Sequence, residues 1–195
     1  MKSIAKDFAS RFSHIALLVS SVEASAQWLN DRGINCGEPE SFESEGTKEI
    51  YVGSYSEQAG LLLLLEAVSD GPYKRALSKR GPGLHHIAID VLNIETFLSQ
   101  AQASGWTLHA ESQHTMKYKT AWLFRKGLPT LIEVHQTKEL SKKSKKVSKI
   151  ELSLTKENLS FFKDIGLGEL VFEGRELYLT VDNQRISFAQ LACLK

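Results

Sequence analysis

Two segments of the chain share a pattern with a period of two. They read His14-Ile15-Ala16-Leu17-Leu18-Val19 and His86-Ile87-Ala88-Ile89-Asp90-Val91. Successive side chains of a strand point to opposite faces of a sheet. In the second segment Ile87, Ile89 and Val91 therefore predict the face that packs under a helix, and His86 lies on the opposite, concave face. The same parity applies to His14, and it favours His86 over its neighbour His85.

The two segments begin two copies of one plan. They are related by a fixed offset of 72 residues, at which Gly33 also recurs as Gly105. The apolar spacing predicts helices over residues 22–32 and 94–104, each ended by its glycine. Strands are predicted near residues 35–41, 48–53 and 60–67 in the first copy, and near 106–111, 119–125 and 130–135 in the second. Strand, helix and three strands, twice, indicate an α+β fold of paired βαβββ modules, residues 11–68 and 84–136.

The rest of the chain predicts two linkers and a third copy. Residues 69–83 contain a linker helix over Pro72–Lys79, which begins at proline and ends before a glycine. Residues 137–147 are rich in Lys and Ser and predict an exposed linker. Residues 148–195 predict a strand over 149–154, a helix over 156–164 and strands over 170–172, 177–181 and 186–191. We interpret them as a third, partial and degenerate βαβββ module that caps the first two or pairs with its counterpart in a homodimer.

Composition and charge exclude several function classes. The 195 residues include 24 Lys+Arg and 23 Asp+Glu, a net charge of +1 that does not favour a nucleic-acid partner. The apolar runs are far shorter than the roughly 20 residues that span a bilayer. No membrane contact is expected, nor a signal peptide in the first 21 residues. Cys36 and Cys193 form no Cys-x-x-Cys motif, which favours a reducing, cytoplasmic setting.

Three side chains predict a metal site. His14 and His86 occupy equivalent places in the two modules and can converge across the module interface. Glu133 interrupts a strand that should be half-buried, where a carboxylate is costly unless it is paired or binds a cation. Two imidazoles and one carboxylate leave positions open for water or substrate, as catalytic metal sites do. The third copy has Lys149 in place of the histidines, and it predicts no site.

The same residues allow simpler interpretations. Each histidine could be a hydrogen-bonded core residue, and Glu133 could face water on an edge strand. Three further histidines lie in polar contexts that predict surface positions: His109, His114 and His135.

A longer motif lies between the modules. Residues 71–88 read Gly-Pro-Tyr-Lys-Arg-Ala-Leu-Ser-Lys-Arg-Gly-Pro-Gly-Leu-His-His-Ile-Ala. With the module plan over residues 11–136, this motif resembles the vicinal oxygen chelate superfamily of glyoxalases, fosfomycin-resistance proteins and extradiol dioxygenases, and within it the methylmalonyl-CoA epimerases. The resemblance implies a curved sheet around a cleft that holds one divalent metal ion: Co, Mn, Zn, Ni or Fe.

The resemblance also assigns roles to individual residues. It places the family's ligand histidines at His14 and His86 and its ligand glutamate at Glu133. A glutamate that transfers protons in the family corresponds to Glu49, with Glu133 as the second catalytic carboxylate. From the residues alone, Glu49 could equally be a solvent-facing strand residue.

One position departs from the family pattern. The ligand that is usually glutamine falls on Leu63, and leucine cannot bind a metal. Glu66 lies three residues later with the opposite strand parity, so it is a poor substitute unless a bulge intervenes. The sequence therefore predicts a site with three ligands, or a degenerate one.

Three functions remain open. The first is a metal-dependent epimerase or isomerase, or a lyase of the glyoxalase kind, acting on a small carbonyl compound or acyl thioester. The second is an Fe(II) extradiol-type dioxygenase, since a two-histidine, one-carboxylate set suits that metal. The third is a non-enzymatic binding protein of the resistance type, which needs no metal.

Overall fold

The computed structural model describes residues 10–54, 58–140 and 142–192. The first nine residues and Cys193, on which part of the signal-peptide and redox expectations rests, lie outside these ranges. The strands are β1 (Ser10–Leu18), β2 (Glu40–Phe42), β3 (Thr47–Val52), β4 (Leu61–Ala67), β5 (Gly83–Val91), β6 (Thr107–Leu108), β7 (Thr120–Phe124), β8 (Leu131–Gln136), β9 (Val147–Leu152), β10 (Val171–Glu173), β11 (Tyr178–Val181) and β12 (Gln184–Ser187). The helices are α1 (Val22–Asn30), α2 (Pro72–Arg80), α3 (Ile94–Ala103), α4 (Ser112–Thr115), α5 (Lys156–Lys163) and α6 (Phe188–Ala192), and a 3₁₀ turn covers Met116–Tyr118.

The paired modules share one eight-stranded sheet, which confirms the predicted α+β fold. Its strand order is β2-β3-β4-β1-β5-β8-β7-β6. In each module the first strand runs parallel to the last, β1 beside β4 and β5 beside β8. The two first strands, β1 and β5, are antiparallel neighbours at the centre. This arrangement brings the equivalent positions of the two modules together.

The helices of both modules lie on one face of this sheet. Helix α1 begins at Ser21, whose hydroxyl accepts from the backbone N–H of Ala24, and α3 begins at Asn93 in the same way. The chain leaves each helix through a glycine with positive φ, 74° at Gly33 and 87° at Gly105, as predicted. No helix within the described ranges is long and apolar enough to cross a membrane.

The two faces of the sheet carry different residues. Ile15, Leu17, Ile87 and Ile89 are fully buried in the main core on the helix side. A smaller apolar cluster on the opposite, concave face is covered by helix α2. It consists of Ala16, Leu18, Leu63, Leu65, Ala67 and Tyr73. The predicted alternation of side chains is thus confirmed for Ile15 and Leu17 of β1 and for Ile87 and Ile89 of β5.

The C-terminal unit, which runs from β9 to α6, forms a separate four-stranded sheet. Its element order is the predicted strand, helix and three strands, but its strand order is β10-β9-β11-β12. The first strand is central here, parallel to β10 and antiparallel to β11. The prediction of a last strand over residues 186–191 is wrong for residues 188–191, which are helical. Phe188 and Leu191 are three residues apart and belong to helix α6.

The C-terminal unit packs against the helix side of the paired modules. Ile150, Phe162 and Val181 belong to the same buried cluster as the core of the large sheet. The Ser25 hydroxyl of α1 donates to the Leu191 carbonyl at 3.1 Å, and the Ser10 hydroxyl donates to the Ile165 carbonyl at 2.9 Å. The C-terminal unit therefore caps the helix side of the paired modules within one chain, and its pairing with a second chain stays a prediction.

The Lys/Ser-rich segment is exposed over residues 142–145, as predicted, but its last lysine is not. Lys145 forms a bridge with Ala59. Lys146 is buried, and its Nζ lies 2.6 Å from Asp182 Oδ2. The ion pair explains how a lysine can be buried where the segment enters the C-terminal unit.

Candidate metal centre

Two predicted ligands meet where β1 and β5 pair. His14 lies opposite Ala88, and His86 lies opposite Ala16. Both imidazoles point to the concave face, and the two Nε2 atoms are 3.1 Å apart. The side chains are almost completely buried, with 4% and 3% of their surface exposed. The antiparallel contact between the two modules therefore produces the pairing that the repeat predicted.

Glu133 completes the cluster from the neighbouring strand β8. Its Oε2 lies 3.7 Å from His14 Nε2 and 3.3 Å from His86 Nε2. Strand β8 is an interior strand between β5 and β7, so the edge-strand alternative for Glu133 is wrong. The structure thus brings together the three residues predicted as ligands.

The spacing of these atoms suits a divalent cation. Such an ion lies about 2.1 Å from each imidazole nitrogen or carboxylate oxygen, which puts ligand atoms about 3.0 Å apart at right angles and about 3.4 Å apart at tetrahedral angles. The distances in the cluster are 3.1, 3.3 and 3.7 Å. Burial lowers the pKa of His14 to about 4 and that of His86 well below its usual value. Both imidazoles are therefore neutral at pH 7, the form that binds metals.

His85 also lies on the concave side, against the prediction from parity. The pairing of β1 with β5 shifts register between Ala16 and Leu17, and the shift leaves His85 as the extra residue of a β-bulge. A bulge breaks the alternation of side chains. The ring of His85 packs on Tyr73 of α2, with 4.7 Å between ring centroids.

The bulge gives His86 a hydrogen-bond partner. The Nδ1 atoms of His85 and His86 are 2.9 Å apart, so one of them donates to the other. If His86 donates through Nδ1–H, its Nε2 keeps a lone pair directed at His14 and Glu133. This tautomer is the one that a metal ligand requires, and a partner at the far nitrogen is typical of ligating histidines.

His135 was predicted at the surface, but it lies beside the candidate ligands. Its Nε2 is 3.2 Å from Glu133 Oε1, and its Nδ1 is 3.7 Å from Asp90 Oδ1. Burial alone would lower the pKa of His135, but the contacts with Asp90 and Glu133 outweigh burial and raise the pKa to about 9. The sequence contained a signal, because Glu133 and His135 are two residues apart on one strand and so share a face. The other two histidines of that prediction, His109 and His114, have no contact with the cluster among the described residues.

Glu49 lies on β3, with 8% of its surface exposed. Its Oε1 accepts a hydrogen bond from the Thr47 hydroxyl at 2.8 Å, and no cationic side chain of the described ranges pairs with it. Burial raises the pKa of Glu49 to about 7, and the negative charges of Glu45 and Glu133 add to the rise although the Thr47 hydroxyl opposes it. Glu49 is therefore a buried acid poised near neutral pH, not a solvent-facing strand residue.

The fourth position of the family pattern offers no ligand here. Leu63 pairs with Ala16 and belongs to the apolar cluster on the concave face. Glu66 has the opposite parity, and its Oε2 accepts from the backbone N–H of Val22 at 3.0 Å. Glu66 thus stabilises the start of helix α1.

Solved structures resemble this chain, although no protein-family model and no curated protein sequence matches it. A hypothetical protein from Bacillus halodurans C-125, BH1468, has a TM-score of 0.54 at 23% identity, over 69% of this chain and 99% of that one. A methylmalonyl-CoA epimerase in complex with methylmalonyl-CoA and NH4+ has a TM-score of 0.52 at 20% identity, over 68% and 99%. This chain has the fold of methylmalonyl-CoA epimerase.

A Streptomyces coelicolor methylmalonyl-CoA epimerase in complex with 2-nitronate-propionyl-CoA also matches. Its TM-score is 0.50 at 20% identity, over 64% of this chain and 94% of that one. The epimerases are thus matched over nearly their whole length, whereas about a third of this chain has no counterpart in them. At these identities the likeness establishes the fold alone.

Proposed function

We propose that this protein is a metal-dependent epimerase or isomerase that moves a proton on the carbon next to a carbonyl group. The observation that carries the proposal is the convergence of His14, His86 and Glu133 on one point of a concave, buried face. These three residues would hold a divalent cation. The ion, when bound, supplies electrophilic stabilisation of the carbonyl oxygen and so lowers the pKa of the neighbouring C–H.

Glu49 is the general base in this proposal. A base that removes a carbon-bound proton is most effective when its own pKa is close to the working pH. Burial raises the pKa of Glu49 to about 7, and the side chain has no cation that would hold it as a permanently ionised carboxylate. The Thr47 hydroxyl fixes Oε1 at 2.8 Å. Glu49 can therefore both accept and release a proton near neutral pH.

The opposite face of the substrate is assigned to Glu133. Its Oε2 is directed at the histidines, whereas its Oε1 lies 3.2 Å from His135 Nε2. His135, with a pKa of about 9, is protonated at pH 7 and holds a proton close to Oε1. Two proton-handling groups, Glu49 and the Glu133–His135 pair, would allow removal on one face and return on the other.

The substrate class is proposed from the chemistry and from the neighbours. The solved epimerases contain methylmalonyl-CoA or 2-nitronate-propionyl-CoA. Thioester carbonyls acidify their α-hydrogens more than carboxylates do, which suits a base with a pKa near 7. We therefore extend the proposal to a 2-substituted acyl thioester.

The test is exchange of the α-hydrogen in D2O. The full chain, loaded with Co2+ and checked by metal analysis, is mixed with methylmalonyl-CoA, and deuterium uptake is followed by mass spectrometry. Glu49→Gln should lower the exchange rate about 10²- to 10⁴-fold. Glu38→Gln, an exposed residue of the same module whose charge does not act on Glu49, is the matched control and should exchange at the wild-type rate. Metal-loaded wild type without exchange refutes the thioester proposal, and a fully active Glu49→Gln refutes the assigned base.

A second function is favoured by the same donor set. Two histidines and one carboxylate, with leucine in the fourth place, match the ligands of non-haem Fe(II) oxygenases. His135 adds a further acid–base group beside them. An extradiol-type dioxygenase predicts oxygen uptake when the Fe(II)-loaded protein meets a catechol, and the epimerase proposal predicts none.

A further inference from the structure

A cavity lies between the C-terminal unit and the paired modules. The cavity has a volume of about 350 Å³ and lies where α2 and β1 end and β5 begins. Leu18 and Leu84 line it from the large sheet, and Leu152, Leu177 and Phe188 line it from the C-terminal unit. The volume is at the lower end of small-molecule sites, which measure about 300–1,000 Å³. The walls include none of the three candidate metal ligands.

Arg80 is the one charged side chain among the residues that line this cavity. Arg80, the last residue of α2, lines the rim and is exposed. Within the described ranges no carboxylate lies within salt-bridge distance of its guanidinium, and none of the residues lining the cavity is acidic. His85 lines the inner end, with 7% of its surface exposed. The cavity thus combines an apolar wall, an unpaired cation and a buried imidazole.

We propose that this cavity is a binding site for a small carboxylate with an apolar body. The carboxylate pairs with the Arg80 guanidinium, which can bind it through two parallel hydrogen bonds. The hydrocarbon or aromatic part lies between Leu84 and the side chains of Leu177 and Phe188, where its transfer from water is favourable. A fully polar anion would leave these apolar walls uncovered, and a neutral hydrocarbon would gain nothing from the charge of Arg80.

The site is distinct from the candidate metal centre, although His85 borders both. Three of its apolar wall residues belong to the C-terminal unit, and the epimerase structures match only 64% to 68% of this chain. The cavity touches the metal centre at one residue, because His85 shares a hydrogen bond with His86. A carboxylate bound in the cavity should therefore contact His85 without contacting His14, His86 or Glu133.

The test is titration calorimetry of the full chain with octanoate. We expect one site per chain, with acetate and 1-octanol binding much more weakly. Arg80→Gln should weaken octanoate binding about tenfold. Lys79→Gln removes the same charge one residue earlier, outside the cavity wall, and should leave the affinity unchanged. Equal effects of the two variants, equal affinity for acetate, or no measurable octanoate binding overturn the proposal.

Two further variants locate the site. Ser153 is exposed at the cavity wall, so Ser153→Trp should fill the cavity and abolish binding, whereas Ser153→Ala should retain it. Thermal unfolding verifies that both variants are folded. His14→Ala should bind octanoate like the wild type, because His14 does not line the cavity. Loss of binding in His14→Ala would place the carboxylate at the metal centre and refute the second site.

Discussion

The paired modules and the C-terminal unit contain the same order of elements, but they pair their strands differently. In the modules the first strand has its own last strand on one side and the other module's first strand on the other, so β1 and β5 meet. In the C-terminal unit the first strand, β9, has β10 on one side and β11 on the other. Both edges of β9 are thus occupied within its own unit. A concave face shared by two first strands can form only in the modules.

The side chains at the equivalent positions of the three first strands also differ in burial and contacts. His14 and His86 are buried and touch each other, whereas Lys149 is 42% exposed and lies 3.1 Å from Glu151. The C-terminal unit contributes instead to the core, where Phe162 is fully buried and packs edge-on against Trp106. A repeated order of elements therefore does not imply a repeated site, because the site depends on which strands become neighbours.

The largest expected effect is on the shared core. Phe162→Ala should lower the free energy of unfolding by about 3–5 kcal/mol, the usual cost of deleting a buried phenylalanine side chain. Because Phe162 belongs to the same apolar cluster as Ile15 and Ile87, the loss should appear in a single unfolding transition of the whole chain. Urea unfolding followed by tryptophan fluorescence and by circular dichroism measures both quantities.

Phe172→Ala is the matched control for this prediction. Phe172 lies in the same unit but is 40% exposed, so its replacement should change stability by less than about 1 kcal/mol. Two separate transitions in Phe162→Ala, with the modules unaffected, would show that the C-terminal unit folds on its own and would contradict the shared core.

The sequence was sufficient for most of the fold because its signals are local. Alternation identified β1 and β5, and glycines with positive φ ended α1 and α3. The strand order of the C-terminal unit has no such signal, since it depends on which edges remain free after the chain collapses. Residues 188–191, which are helical, were predicted as strand because so short a segment does not distinguish a period of two from one of 3.6.

The candidate site was predictable in part for the same reason. His14 and His86 follow from the repeat and from parity, and Glu133 follows from the cost of a carboxylate in a half-buried strand. The structure places the three side chains together. His85 could not be predicted, because a β-bulge is a feature of the pairing between two strands. His135 could have been predicted from its position two residues after Glu133, but its polar neighbours suggested the surface.

The second prediction compares equivalent positions of the two regions. His86→Ala should weaken Co2+ or Zn2+ binding at least about a hundredfold, since loss of a ligand exceeds the 10- to 100-fold loss seen when a supporting residue is removed. Lys149→Ala should leave metal affinity unchanged. Competition with a chromogenic chelator gives both affinities. Equal metal affinities of the wild type and His86→Ala would refute the proposed metal centre.

The third prediction compares two carboxylates, Glu49 in the modules and Glu151 in the C-terminal unit. Burial raises the pKa of Glu49 to about 7, and hydrogen bonds from Arg185, then Lys149, hold the pKa of Glu151 at about 2. Because the pKa of Glu49 is higher in the folded state than in the unfolded state, the protein loses stability as the pH rises towards 7. Because the pKa of Glu151 is lower in the folded state, the protein loses stability as the pH falls towards 2. The two acids should therefore act in opposite directions.

The effect of Glu49 is measured by comparing the metal-free wild type with metal-free Glu49→Gln. Relative to this variant, the wild type should lose about 3 kcal/mol of unfolding free energy between pH 4.5 and pH 8. Relative to Glu151→Gln, the wild type should instead lose stability only as the pH falls below about 4.5. Urea unfolding across the pH range gives both curves. If the unfolding free energies of the wild type and Glu49→Gln change with pH in parallel, the pKa of Glu49 is not raised in the folded state.

The smallest expected effect concerns the bulge residue His85, for which the C-terminal unit has no equivalent. His85→Ala should weaken metal binding about tenfold, because His86 loses the acceptor that holds its Nδ1–H and directs its Nε2 at the cation. His85→Asn keeps an acceptor oxygen and should recover most of the affinity, and the exposed His114→Ala should have no effect. Nitrogen-15 shifts of His86 report the tautomer directly. If His85→Asn binds as weakly as His85→Ala while the His86 tautomer is unchanged, packing on Tyr73 rather than the hydrogen bond is the contribution of His85.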